Sequence, residues 1–333
     1  MPDLPRNRQD HFVPQGYLRG FIDPARSNQD RPLWCLSRAR NQWERKSTRQ
    51  ICSRRGFYDF ATDPVNVEHP DVTFKSMENG FPALRDDLQR RNFVGWREHI
   101  AFLLAYMQMI RARSPQFFVD QCQALANAKM ARVVAVNRTD QSLTHDGFRP
   151  LTDDEKHDFT IGCMREEIKK GAAWMEGFHW QIRTTFDPHS PVVTSEAPLF
   201  VKGDGPLASE TMTMDVLTRK TSLVCFPLCW QACLVGRTRP FESDLESFEP
   251  GDLADFRGMM AEMAPDYVIS PHVVKGLLLM GRPVPKSTRG VDSNAHCRRK
   301  KGTADVYRRR VASPIVPHAF DSYRPLGIIS ELY

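Results

Sequence analysis

Of 333 residues, 41% are hydrophobic and 26% charged, and 20 Phe, 7 Tyr and 6 Trp supply material for a large core. That composition excludes a mostly disordered chain. The net charge of +6 is unevenly placed: residues 1–60 hold 12 basic and 6 acidic side chains and residues 274–333 hold 12 and 4, so an acidic body lies between two basic ends, which points to an interaction surface.

Residues 1–9 read as a flexible N-terminus. From His11 to Ile22 apolar residues recur at both helical and strand spacing, consistent with a short helix. RPLWCLSRARNQW then suggests two short strands around a polar turn, and Phe57-Tyr58 closes an aromatic cluster. The clearest helix follows. Trp96, Ile100, Leu103, Leu104, Met107 and Ile110 fall at offsets 0, 4, 7, 8, 11 and 14, one broad stripe at period 3.6. Arg111 and Arg113 end it, where cations suit the helix dipole. Ser114-Pro115 stops it and starts another helix, Ser as N-cap and Pro at the first helical position, with Phe118, Cys122, Leu125 and Ala126 on one face. A capping box at Thr152 and Glu155 begins a third helix, which Gly171 or Gly177 ends.

The period then changes. HWQIRTTF, PVVTSEAPLFVKG and SLVCFPLCWQACLVGR are short, β-branched or alternating, and bounded by Pro and Gly, as in a small antiparallel sheet. A helix is expected over Leu253–Met263, stopped before Pro265, and DYVIS reads as a last strand. Beyond about Val274 the chain turns to Gly, Pro, Ser and Arg, a poor core former. The expected architecture is α+β: a helical subdomain packed on a small, mostly antiparallel sheet, one domain over 10–273, with a basic, partly disordered extension over 274–333.

The most apolar stretches, 222–236 and 273–281, are well short of the ~20 residues that cross a bilayer, and the first residues carry no apolar signal core. No membrane association and a cytoplasmic location are therefore expected. None of the eight cysteines forms a CxxC pair. Cys225, Cys229 and Cys233, four apart, would share a face of a strand or helix, but their apolar surroundings read as core and not as a metal site. The sequence carries no Walker, Rossmann, nucleophile-elbow or zincin motif, so no cofactor and no metal is expected. Oligomeric state is not set by the sequence.

His11-Phe-Val-Pro-Gln-Gly-Tyr-Leu-Arg-Gly-Phe21 resembles the opening HxVPxxYLxxF of a mainly bacterial family of unknown function, domain-of-unknown-function family 4238. Phe57-Tyr58, the helix end Arg111-Ala-Arg113-Ser-Pro, the strand WQI, Thr194-Ser195-Glu196-Ala-Pro198 and Tyr267-Val-Ile-Ser270-Pro are similar to it in the same order. The resemblance spans about residues 10–273. It implies candidate positions but no reaction, and Glu196 stands where family members usually carry Asp.

The polar residues set into these apolar motifs form the candidate catalytic group: His11, Glu196, Arg111 and Arg113. A histidine serves as general acid or base near neutrality, a carboxylate orients it, and an arginine grips phosphate bidentately. The chemistry suggested is metal-independent nuclease action or another phosphate-directed hydrolysis, in bacterial defence or as a toxin. The bland reading of each is also open: a tie between loop and core for His11, a polar turn between strands for Thr194–Pro198, helix-end charges for the arginines. The alternative function is a non-catalytic module that binds nucleic acid or a protein. For either, Arg298, Arg299, Lys300 and Lys301, with Arg308, Arg309 and Arg310, are expected to form an electrostatic arm for nucleic acid. Only Tyr307 is interleaved, so little base stacking is expected.

Overall fold

A computed structural model describes residues 9–59, 70–115, 117, 160–162, 164, 168–173, 175–202 and 223–277. The expected helix face Phe118–Ala126, the capping box at Thr152 and both basic blocks lie outside the described residues. The fold is α+β, with three mostly antiparallel sheets among the described residues.

The strands are β1 (Gln9–His11), β2 (Leu33–Ser37), β3 (Gln42–Lys46), β4 (Ser53–Arg55), β5 (His179–Thr184), β6 (Thr194–Ser195), β7 (Phe200–Lys202), β8 (Leu223–Cys229), β9 (Ala232–Arg237), β10 (Leu245–Ser247) and β11 (Tyr267–Ser270). The helices include α1 (Gln15–Leu18), α2 (Pro70–Arg90), α3 (Ile100–Arg113) and α4 (Pro250–Met263), and residues 160–162, 164, 168–173 and 175 are helical as well. Sheet orders are β1-β4, β10-β5-β9-β8-β7 and β3-β2-β11-β6. Only β10 and β5 run parallel. The sequence anticipates the β2–β3 hairpin, but not its pairing with β11 some 230 residues on, which joins the two ends of the domain in one sheet.

The five-stranded sheet is buried on both faces. Val224, Phe226, Leu228 and Leu234 face one apolar cluster, whereas Cys225, Cys233 and Val235 face a second, under α4. In a regular strand Cys229 would share the face of Cys225. A register shift between Pro227 and Cys229 turns it to the opposite cluster, so the three cysteines do not share one face. The cause is Pro227, which has no N–H for the ladder and is accommodated inside a sheet only at a bulge. Gly236 is required where it stands: a Cβ there would lie 2.6 Å from the Trp180 ring.

The stripe from Trp96 is packed inside, as its period predicts, but α3 is buried on nearly every side. Tyr106, Met109 and Ala112, off the stripe, are as hidden as Leu103 and Met107. Its last turn is no solvated face either, because Arg113 is buried. The helix α2 has no counterpart in the sequence reading. It runs unbroken through Gly80 and Pro82, and Phe74, Met77, Phe81 and Leu88 are all buried against the main cluster. Phe81 stacks on Tyr106 of α3 with centroids 3.9 Å apart. Helix α4 spans the expected segment, and the Arg38 side chain satisfies its terminal carbonyls by donating to Ala261, Glu262 and Ala264.

No helix among the described residues is long and apolar enough to cross a membrane. Leu103→Ala, at the centre of the core, is expected to cost about 2–5 kcal/mol, read as a lower urea midpoint. An unchanged midpoint would contradict the packing.

Candidate functional site

The short pairing of β1 with β4 sets the position of His11, opposite Ser53, and Phe12 N–H extends the tie by donating to the Cys52 carbonyl. Pro14 then opens α1, where its missing N–H costs nothing. The chain passes very close to α2 at Gly16, where an added Cβ would lie 2.9 Å from Pro82. This approach leaves a polar cleft of about 600 Å³ between β1, α1 and α2. From α2 come Lys75, Glu78, Asn79 and Pro82, spaced to share one helical face. Arg19 and Arg49 reach it from the other side, and Arg113 closes it from α3.

Arg113 holds these elements together. Its Nε donates to the Tyr58 hydroxyl at 3.1 Å, one terminal nitrogen pairs with Glu78, and the other donates to the His11 carbonyl. The guanidinium also lies over the rings of Tyr58 and Phe74, 5.2 and 4.8 Å from their centroids. Burial opposes its charge, but Tyr58 and Glu78 outweigh that and raise its pKa. Burial likewise pushes the Tyr58 hydroxyl up to about 12, against the opposing pull of Arg113. The neighbouring Asp10 is buried and accepts from the Tyr58 N–H at 3.1 Å.

His11 is half-buried. Burial lowers its pKa below the usual 6.5; contacts with the backbone of Thr48 and Arg49 pull the other way, and the Arg113 charge adds to the lowering. The shift favours the neutral ring. Its Nε2 is buried with no hydrogen-bond partner among the described residues. Around the mouth, Arg19, Arg49 and Lys75 are exposed. Among the described residues none of the three makes a recorded side-chain bond, so their charges are available to a ligand.

The other two candidates lie elsewhere. Glu196 does not line the cleft. Its Oε2 accepts from the N–H groups of Asp266 and Tyr267 at 2.8 and 3.2 Å. Burial, reinforced by Asp266, pushes its carboxyl up to about 8. Beside it, Ser195 accepts from the Ala197 N–H, and Thr194 meets the Tyr17 hydroxyl at 2.9 Å. That hydroxyl also donates to the Pro227 carbonyl freed at the bulge. Thr194 and Ser195 thus form the edge strand β6 beside β11, not the polar turn expected, and Glu196, just past it, ties the start of β11. Arg111, two positions before Arg113, points away on the helix; it contacts Gln108 and lies over Phe117.

The model of the family described as Protein of unknown function (DUF4238) matches residues 9–276. The chain belongs to that family. No curated protein and no solved structure matches it. In this DUF4238 chain the motif residues separate by job. Tyr17, Thr194 and Glu196 tie elements of the fold together, Arg113 joins β1, α2 and the Tyr58 turn, and His11 lines the cleft with its Nε2 buried and unpartnered among the described residues, as are the Tyr106 hydroxyl and the Gln108 amide nitrogen.

Sequence reasoning missed Glu78 and the mouth cations Arg19, Arg49 and Lys75. The spacing of Lys75, Glu78, Asn79 and Pro82 at i, i+3, i+4 and i+7 was the available signal. Among the described residues no group of three or more His, Cys, Asp or Glu side chains converges on a metal site. Cys35, Cys52, Cys225, Cys229 and Cys233 are free and buried.

Two outcomes follow from this division. Arg113→Ala strands Glu78 and opens the core, so it is expected to cost about 3–5 kcal/mol in chemical denaturation, against about 1 kcal/mol or less for Arg111→Ala. Glu196 holds its proton more tightly folded than unfolded, since its pKa rises from 4.5 to about 8. Its contribution is thus full at acid pH and is lost as pH rises through that window. Glu196→Gln, which cannot ionise, should show a flatter stability profile between pH 5 and 8 than the parent protein. Parallel profiles would contradict it.

Proposed function

We propose that this protein is a phosphate-directed hydrolase of the metal-independent nuclease type, working in the cleft between β1, α1 and α2. The observation that carries the reading is the buried, unpartnered Nε2 of a neutral His11 in a cleft ringed by three uncommitted cations. A neutral imidazole with a free lone pair is a general base. Arg19, Arg49 and Lys75 supply charge for a phosphate and for the negative charge that grows on it in the transition state. Arg113 is too engaged to clamp substrate; it fixes the His11 backbone and, by its charge, favours the neutral ring. Glu78 holds Arg113. Arg111 and Glu196 have no part in the step. A nucleic acid is the proposed partner, since its backbone offers phosphates in series.

A second reading, a module that binds nucleic acid or protein without chemistry, is favoured by one observation. Glu78 and Arg113, which flank His11, are bonded to each other, so no unspent acid stands beside the base.

The test is turnover by the purified chain of any one of three phosphodiesters, RNA, DNA or bis(p-nitrophenyl) phosphate, with and without chelator. Activity should survive chelation, and His11→Ala should lower it by about 100-fold or more. Protonated Nε2 cannot accept, so activity should hold through neutrality and fall once pH drops below the lowered His11 pKa. Binding without turnover, unchanged in His11→Ala, would select the second reading.

A further inference from the structure

We infer that the bond broken in this cleft is an RNA phosphodiester, with the substrate's own 2′-hydroxyl as nucleophile. The inference rests on the hydrolase reading above and adds to it the substrate class.

The first argument concerns the base. Nε2 of His11 is without a partner among the described residues, and a turn of the ring toward the cleft that His11 lines brings it to a substrate proton. RNA carries a hydroxyl beside every phosphate, already within reach of the phosphorus, so one base and a set of cations suffice to start the reaction. The second concerns the lining. Gln9, Gln15 and Asn79 place three side-chain amides in the cleft. An amide both donates and accepts, as does the 2′-hydroxyl, the group by which a protein tells RNA from DNA. The third concerns the bases. The thirteen lining residues include no Phe, Tyr or Trp, so the cleft offers no broad stacking platform of the kind that holds single-stranded bases. Contacts are then with sugar and phosphate, which position a strand without reading its sequence. Arg19, Arg49 and Lys75 fit up to three phosphates, for which log K against log salt should have a slope of roughly −2.

The step balances. Nε2 of His11 takes the 2′-hydroxyl proton as O2′ bonds to phosphorus, and the bond from phosphorus to O5′ breaks. The Lys75 ammonium gives O5′ its proton and is reprotonated from solvent, while the His11 imidazolium returns its proton to solvent. The products are a 2′,3′-cyclic phosphate and a 5′-hydroxyl, and no co-reactant is consumed.

The experiment incubates the full chain, in chelator, with an RNA oligonucleotide, DNA of the same sequence and fully 2′-O-methylated RNA. Products are read by mass spectrometry at early times and affinities by fluorescence anisotropy. The expected result is cleavage of RNA alone, with cyclic phosphate and 5′-hydroxyl ends, while 2′-O-methyl RNA binds but stays intact. His11→Ala and His11→Gln, each checked for native circular dichroism, should lose cleavage and keep binding. Cleavage of DNA or 2′-O-methyl RNA at the rate of RNA would overturn the inference and leave the hydrolase reading standing. So would RNA left whole while bis(p-nitrophenyl) phosphate is turned over. No turnover of any phosphodiester would overturn both.

Discussion

The buried guanidinium of Arg113 is the constraint on which the rest of this structure turns. A charge inside a protein survives only if its donors are met. Here they are met by three separate parts of the chain: the Tyr58 hydroxyl, the Glu78 carboxylate and the His11 carbonyl. The requirement therefore draws β1, the Tyr58 turn and α2 onto the end of α3. The cleft is a consequence of that assembly. His11, which lines it, is held by its backbone carbonyl in the same network, and the Arg113 charge acts on its ring.

A similar logic governs the polar residues further from the cleft. Tyr17 is fully buried, and its hydroxyl bridges Thr194 on β6 and Pro227 on β8. Glu196 anchors the start of β11 through two backbone N–H groups. Arg38 closes α4 through three carbonyls. Each resolves a backbone or hydroxyl group that burial would otherwise leave unmet. Polar residues embedded in apolar motifs are thus mostly structural in this DUF4238 chain. His11 differs because its Nε2 is without a partner among the described residues, as are the Tyr106 hydroxyl and the Gln108 amide nitrogen, and of these three residues it alone lines the cleft.

Much of the fold is legible in the sequence. The stripe from Trp96 to Ile110, the β2–β3 hairpin, the strand runs after His179 and helix α4 follow from periodicity and turn residues. Helix α2 is not, because Gly80 and Pro82 suggest a break while the apolar residues that place it, Phe74, Met77, Phe81 and Leu88, are diluted among charges. The long-range pairing of β2 with β11 leaves no local trace. The site is legible only in part. His11 and Arg113 are brought together, but Arg111 and Arg113 cannot be told apart by sequence, since which of two neighbouring arginines turns inward depends on Tyr58 and Glu78. Glu196 shows the other limit: a motif carboxylate looks the same whether it serves substrate or a backbone turn.

The proposed function pairs a neutral His11 with spare positive charge in one cleft, and that pairing can be observed directly at His11. The measurement is an NMR titration of the ring nitrogens of the labelled protein, alone and with added inorganic phosphate, with His11→Ala to assign the signal. The account predicts that His11 is neutral at pH 7 and titrates below 6.5, and that phosphate in the cleft moves its titration upward, since a nearby anion favours the imidazolium. A His11 that titrates at or above 6.5, or one that phosphate leaves unmoved, would contradict it.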